Sequence, residues 1–256
     1  MSAILETEGL VKRFGAVAAA DGISVRVEEG TVVGLIGGNG AGKTTFLNLV
    51  TGHLAPTSGT VRFEGRDITG LPSRRITRLG ICRSFQIPQV FASLTARENL
   101  LVGLGIVAMG RGAFVGSGLG GEPPEEVADR VLDRFHLAAH RDRPAGVLPE
   151  GVRKLLDVAM ALSVKPRILL LDEPTSGVSA DEKFALMDLV LGAIREERVT
   201  VLFVEHDMEL VRTCTERVLA FHEGRVIADG PPAAVLEAPE VRRLVVGEPG
   251  LREGAC

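Results

Sequence analysis

Long apolar runs are missing from this 256-residue chain: its longest nearly uninterrupted stretch, Leu100 to Met109, is ten residues and contains two glycines. A transmembrane helix needs about 18 or more such residues. No segment is therefore expected to span a bilayer, although 45% of the residues are hydrophobic and mean hydropathy is +0.22. Cysteine is scarce: Cys82, Cys214 and Cys256 are odd in number and widely spaced. That excludes a disulfide framework and a Cys-x-x-Cys zinc site, leaving free thiols. A dominant charge sign is missing too, since 29 Lys and Arg against 33 Asp and Glu leave a net −4, with no overall attraction to nucleic acid or acidic lipid. The basic cluster Arg74, Arg75, Arg78 and Arg83 is accordingly read as a solvated helix face. The N-terminus lacks a basic region followed by about 7 to 15 apolar residues, the mark of a secretory signal, so a cytoplasmic chain is expected. At 24% charged residues the composition is ordinary globular, and the length suits one to two domains.

Hydrophobic periodicity orders what is present into an α/β pattern. Leu5 to Phe14 and Val17 to Val27 alternate loosely as two strands, and Thr31 to Ile36 is a short β-branched run of the buried-strand kind. Between Gly37 and Thr44 lies Gly-Gly-Asn-Gly-Ala-Gly-Lys-Thr, followed by Thr45, Phe46, Leu47, Leu49 and Val50 at helical spacing. A strand, a glycine loop and a helix in that order are the context of a phosphate-binding loop. Gly37, Gly38, Gly40 and Gly42, with Asn39 and Ala41 between them, let the backbone wrap a β-phosphate with successive amides pointing inward. The new helix adds its unsatisfied donors and the positive end of its dipole. Lys43 then reaches the β- and γ-phosphates and the Thr44 hydroxyl ligates Mg²⁺. Chance would produce this pattern about 0.01 times in a chain of this composition.

Downstream, Ile168 to Leu171 is a continuous apolar strand that ends in Asp172 and Glu173, as a buried parallel strand does where it opens onto a ligand crevice. Asp172 is placed to hold Mg²⁺ through a bound water and Glu173 to orient and deprotonate an attacking water. Thr200 to Val204 is another such strand, followed by Glu205, His206 and Asp207. The strand Ile81 to Phe85 ends at Gln86, just before Pro88. Four strand ends thus deliver Lys43, Gln86, Glu173 and His206.

These residues resemble the nucleotide-binding subunit of ATP-binding-cassette (ABC) transporters over almost the whole chain. Gly37 to Thr44 looks like the Walker A motif, Gln86 the Q-loop, Leu148 to Val152 the signature position and Ile168 to Asp172 the Walker B motif. Glu173 matches the catalytic glutamate, His206 the switch histidine and Phe14 the aromatic that stacks on adenine. The resemblance implies a P-loop NTPase of ABC type, with a RecA-like parallel core, an antiparallel β subdomain and a helical subdomain. Residues 1–86 and 164–230 fall to the core and β subdomain, 87–163 to the helical subdomain and 231–256 to C-terminal helices and tail. It also implies ATP and Mg²⁺ as ligands, with Gln86 joining Thr44 and Asp172 at the metal. The implied partners are a second ATPase subunit, transmembrane permease subunits and, indirectly, a solute-binding protein, with the chain peripheral on the inner face of the membrane and no nucleic acid. Each ATP in that family lies between one chain's phosphate loop and the other's signature.

The usual signature Leu-Ser-Gly-Gly-Gln is replaced here by Leu148, Pro149, Glu150, Gly151 and Val152, which open an amphipathic helix with apolar Val152, Leu155, Leu156, Ala159 and Leu162. Pro149 removes a hydroxyl and a backbone N–H that would bind the partner site's γ-phosphate, and Glu150 adds a negative charge. Ser179 stands where the D-loop normally has Asp. The expectation is an intact phosphate loop on this chain and a weaker site on the partner. Gly103 to Gly121 has eight glycines and one charge, Arg111, and reads as a flexible surface insertion. Apolar residues around Phe91 and from Leu100 to Met109 read as a docking surface for a membrane partner. Arg83-Ser84-Phe85-Gln86, Phe91, Leu94 to Leu100, the insertion and Val204 to Met208 together resemble the ATPases of branched-chain amino-acid importers. Urea and amide importers are relatives of the same kind. Two further classes stay open: ABC ATPases acting on nucleic acid or ribosomes, although no heptad run is sustained over three or four repeats, and phosphate-loop kinases, against which Glu173 and His206 favour hydrolysis; the Asn-Lys-x-Asp motif of GTPases is absent.

Overall fold

The structure is a computed structural model that describes residues 2–84, 90–110 and 122–247. In chain order its elements are β1 (Ala3–Phe14), β2 (Val17–Glu28), β3 (Val32–Gly37), α1 (Lys43–Val50), β4 (Ser58–Phe63), β5 (Arg66–Asp67), α2 (Ser73–Leu79) and β6 (Ile81–Ser84). There follow α3 (Ala96–Gly110), α4 (Pro124–Arg134), α5 (Glu150–Ser163), β7 (Ile168–Asp172), α6 (Ala180–Glu197) and β8 (Thr200–Val204). The chain continues through α7 (Met208–Cys214), β9 (Arg217–His222), β10 (Arg225–Gly230), α8 (Pro232–Glu237) and α9 (Pro239–Val241). It divides into two compact units, Met1–Ile76 with Thr200–Cys256, and Thr77–Val199.

In the first unit, β1 pairs antiparallel with β2 and β4, extended by β5. Alternation along β1 and β2 buries Leu5, Leu10, Ile23, Val25 and Val27 on one face while charged neighbours stay out. Thr7, buried among them, donates to the Ile23 carbonyl and accepts from the Val25 amide, so the irregular pairing leaves its hydroxyl satisfied. A second sheet runs β10-β9-β3-β8, with β3 parallel to both β8 and β9 and β10 antiparallel on β9. Every residue of β3 and β8 is buried, as expected of parallel strands covered on both faces. Ile36, Val211, Val218 and Ala220 pack with Val235, Leu236 and Val241, so α7, α8 and α9 close this core.

The second unit pairs β6 parallel to β7 in the register Ile81↔Ile168 to Ser84↔Leu171. Helix α3 packs on α4 and α5 and buries Leu100 and Leu104, each contributing about 1.5–3 kcal/mol. Its start is fixed by a capping box: the Thr95 amide and hydroxyl donate to Glu98 Oε2 at 2.7 and 2.9 Å, and the Glu98 amide donates to Thr95 Oγ1 at 3.1 Å. Those bonds from Thr95 hold the Glu98 carboxyl below the usual range. Asn99, fully buried, accepts from the Phe91 amide and donates to the carbonyls of Phe91, Leu94 and Thr95. The stretch from Leu94 to Leu100 is thereby a helix start with a polar pin.

Three expectations are corrected. Gly103 to Gly110 belong to helix α3, not to a flexible insertion; residues 111–121 lie outside the described residues. Leu100 and Leu104 are core, while Phe91 is 51% exposed. Helix α5 buries Lys154 and Asp157 beside Leu156, Ala159 and Leu162, with Val152 and Leu155 only half-buried. Cys82 and Cys214 are free and buried, and burial pushes the Cys82 thiol up to about 11, protonated at neutral pH.

Candidate functional site

The phosphate loop lies in the first unit, where β3 feeds α1. Helix α1 starts at Gly42 with no side-chain cap, so the amides of its first turn are left for an anion's oxygens. Gly42 has φ 105°, and a Cβ there would sit 2.6 Å from the Ala19 carbonyl oxygen. A Cβ on Gly37 would stand 2.5 Å from the Phe221 carbonyl oxygen. Both glycines are demanded by close backbone approach. The loop is braced from within by the Ala41 amide on the Gly38 carbonyl (3.1 Å) and from β9–β10 by the Gly224 amide on the Ala41 carbonyl (2.9 Å). Lys43 is buried and its Nζ donates to the carbonyls of Gly37 (2.6 Å) and Gly38 (3.1 Å). The cation is thus folded over the loop it would serve, while the Thr44 side chain is exposed and Thr45 half-buried.

Two further predicted residues belong to this unit. Phe14 ends β1 at 51% exposure, with Lys12 Nζ 5.2 Å from its ring centre, an aromatic face open to a flat partner. His206 follows β8 and is exposed; its amide donates to Oε2 of buried Glu205 at 3.1 Å. Asp207 then caps α7 by accepting from the Glu209 and Leu210 amides, which fixes where the histidine leaves the sheet.

The carboxylates lie in the second unit. Asp172 is the last residue of β7 and is 8% exposed. Its Oδ2 accepts from Arg83, whose side chain is 7% exposed. The Arg83 side chain is therefore buried on β6, not part of the solvated face expected for its cluster; Arg74, Arg75 and Arg78, on α2, are exposed. Glu173 is half-buried with φ 50°, a conformation costly for a non-glycine residue. Lys154, on α5, donates to the Glu173 carbonyl at 3.2 Å. Beside Arg83, Ser84 donates to Asp157 of α5. Sequence reasoning misses Arg83, Lys154 and Asp157 because only tertiary packing distinguishes a buried Arg, Lys or Asp from a solvated one.

Leu148 is buried and Pro149 is the N-cap of α5, accepting from the Arg153 amide through its carbonyl at 3.0 Å. Glu150 opens the helix exposed, beside half-buried Gly151. Gly177 has φ 75°, and a Cβ there would collide with the Glu150 carboxylate. Ser179 caps α6 by position, its hydroxyl on Glu182 Oε2 at 2.7 Å. Gln86, like all of 85–89, lies outside the described residues.

Residues 20–176 match the family model described as ABC transporter. The chain is 39% identical to the high-affinity branched-chain amino acid transport ATP-binding protein BraF of Pseudomonas aeruginosa, over 96% of this chain and 98% of the relative. It is 35% identical to LivG of Escherichia coli, again over 96% and 98%. Among solved structures it resembles MJ1267, an ATP-binding cassette of an ABC transporter, with TM-score 0.83 and 32% identity over 95% of this chain and 99% of that one. The ADP conformation of MJ1267 gives TM-score 0.81 over 97% and 100%.

Proposed function

Since the chain belongs to the ABC transporter family, we propose that it is the ATP-binding and ATP-hydrolysing subunit of a branched-chain amino-acid importer. The observation that carries the chemistry is the phosphate loop, with an uncapped α1 start and buried Lys43 folded onto the loop's own carbonyls. The solute class is supported by end-to-end similarity to BraF and LivG.

On this reading Lys43 exchanges the carbonyls of Gly37 and Gly38 for β- and γ-phosphate oxygens. The backbone amides from Gly38 to Thr45 surround the β-phosphate, and Phe14 offers its exposed ring to adenine. Glu173 orients and deprotonates the attacking water, and His206 contacts the γ-phosphate. Gln86 relays closure to the membrane partners. The available donors suit a hard cation: Thr44 exposes a hydroxyl on the first turn of α1 and Asp172 supplies a carboxylate at a strand end. Thr44, Asp172 and Gln86 would hold Mg²⁺, which neutralises charge on the transferring phosphoryl group.

The subunit pairs with a second ATPase, docks on transmembrane permease subunits at the cytoplasmic face, and serves a solute-binding protein through them. No helix among the described residues is long and apolar enough to cross a membrane. Exposed Phe91 belongs to the docking face.

Lys43→Ala tests the assignment. Two charge-assisted bonds at about 1.5–3 kcal/mol each set an expected loss of ATP affinity of about a hundredfold or more, read by fluorescent-nucleotide titration. ATP-dependent leucine uptake by the reconstituted complex should vanish with it. Binding like that of the unaltered chain would overturn the phosphate-loop assignment, and uptake of urea in place of leucine would overturn the solute class.

A further inference from the structure

We propose that Arg83 is the resident counter-cation of Asp172 and sets the Mg²⁺ requirement for nucleotide binding; this rests on the reading of Asp172 as a magnesium-site residue. Parallel pairing of β6 with β7 places Arg83 opposite Leu170, two residues before the aspartate. From there the guanidinium reaches Asp172 Oδ2 with both side chains at 10% exposure or less. An arginine on a strand ordinarily carries its head group to water. Here it is turned inward, where a guanidinium persists only if a carboxylate answers its charge. The same burial strips Asp172 of water, so the carboxylate is equally committed to its partner.

That commitment has a consequence for any second cation. Two positive charges on one buried carboxylate repel each other, and the screening that softens this at a surface is missing inside. Arg83 therefore weakens the field that Asp172 offers, and magnesium must displace or share the guanidinium. The neighbouring residue makes this more than a local matter. Ser84 is bonded to Asp157 of α5, and Lys154 of the same helix holds the Glu173 carbonyl. The β6 end thus ties the metal carboxylate, through Arg83, and the signature helix, through Ser84, to one short strand.

The test is a Mg²⁺ titration of fluorescent-ATP binding to the full chain. In Arg83→Gln the half-saturating Mg²⁺ concentration is expected to fall about fivefold or more, the usual size of coupling between two ligands of one site. Affinity at saturating Mg²⁺ should stay within about twofold, a result that a generally damaged fold would not give. In an Asp172→Asn background the same Arg83→Gln change should leave the Mg²⁺ requirement unmoved, since the coupled partner is gone. An unchanged or raised requirement in the single variant overturns the proposal. Should Arg83→Gln fail to fold, Arg83→Lys carries the test: it loses the planar fork and is expected to lower the requirement about twofold, with no change overturning the idea. If Lys43→Ala also leaves binding intact, the phosphate-loop reading has failed. If binding needs Lys43 and Mg²⁺ while Arg83→Gln changes nothing, only the role of Arg83 has.

Discussion

Gly42 and Gly38 sit four residues apart in one loop and face opposite constraints. Gly42 holds φ 105°, and a Cβ there would stand 2.6 Å from the Ala19 carbonyl oxygen and 3.0 Å from the Gly224 Cα, whereas nothing lies within 4 Å of a Cβ on Gly38. Gly42→Ala should therefore cost about 1–3 kcal/mol from backbone strain and collision together and lower the melting temperature by several degrees. Gly38→Ala should fold with a melting temperature within about 1 °C of the parent. Equal melting temperatures for the two variants, measured by calorimetry, would contradict this geometry. The glycines and Lys43 were legible in the sequence because a phosphate loop needs a fixed spacing of fixed residue types. Arg83 was not, because nothing in its local sequence says that a buried carboxylate waits on the neighbouring strand. Lys154 was not legible either, because its local sequence does not show that its ammonium meets the Glu173 carbonyl, which also accepts from the Ser176 amide.

At the scale of elements, strands read well wherever burial covers both faces. The runs that end at Ile36, Leu171 and Val204 are continuous and apolar, and the structure makes them β3, β7 and β8 to within a residue or two. Helices read less well when glycine interrupts them. Helix α3 runs through Gly103 and Gly105 because its start is secured by Thr95 and Glu98 and its buried side by Leu100 and Leu104. Packing outweighs the penalty of about 1 kcal/mol that each helical glycine carries. Helix α6 holds a similar interruption at Gly192, which is exposed, with nothing within 4 Å of the place an alanine methyl would take. Gly192→Ala should therefore stabilise the chain by about 0.5–1 kcal/mol, a rise of roughly 1 to 4 °C in melting temperature. A fall would mean that the position is covered by a partner or strained in a way the helix does not show.

At the scale of the whole molecule, the first unit is assembled from both ends of the sequence and the second from the stretch between them. Lys43, Thr44 and His206 are carried by one unit, and Asp172, Glu173 and the signature by the other. The departures from the family pattern all fall in the second. Pro149 brings no N–H to the start of α5, and Glu150 places an exposed carboxylate on its first turn. Loss of one preorganised donor at a developing charge costs about 2.7–4 kcal/mol, and a like charge adds to that cost. In a pair of ATPases these losses fall on the nucleotide held by the partner's phosphate loop, whereas this chain's own Lys43, Asp172 and Glu173 are retained. Turnover should therefore depend more heavily on Glu173 of this chain than on the equivalent glutamate of its partner. The measurement is ATPase activity of the assembled complex with Glu173→Gln here and, separately, with the matching change in the partner. This chain's variant is expected to abolish turnover and the partner's to leave a substantial fraction; the reverse result would show that Pro149 and Glu150 do not weaken the site they complete.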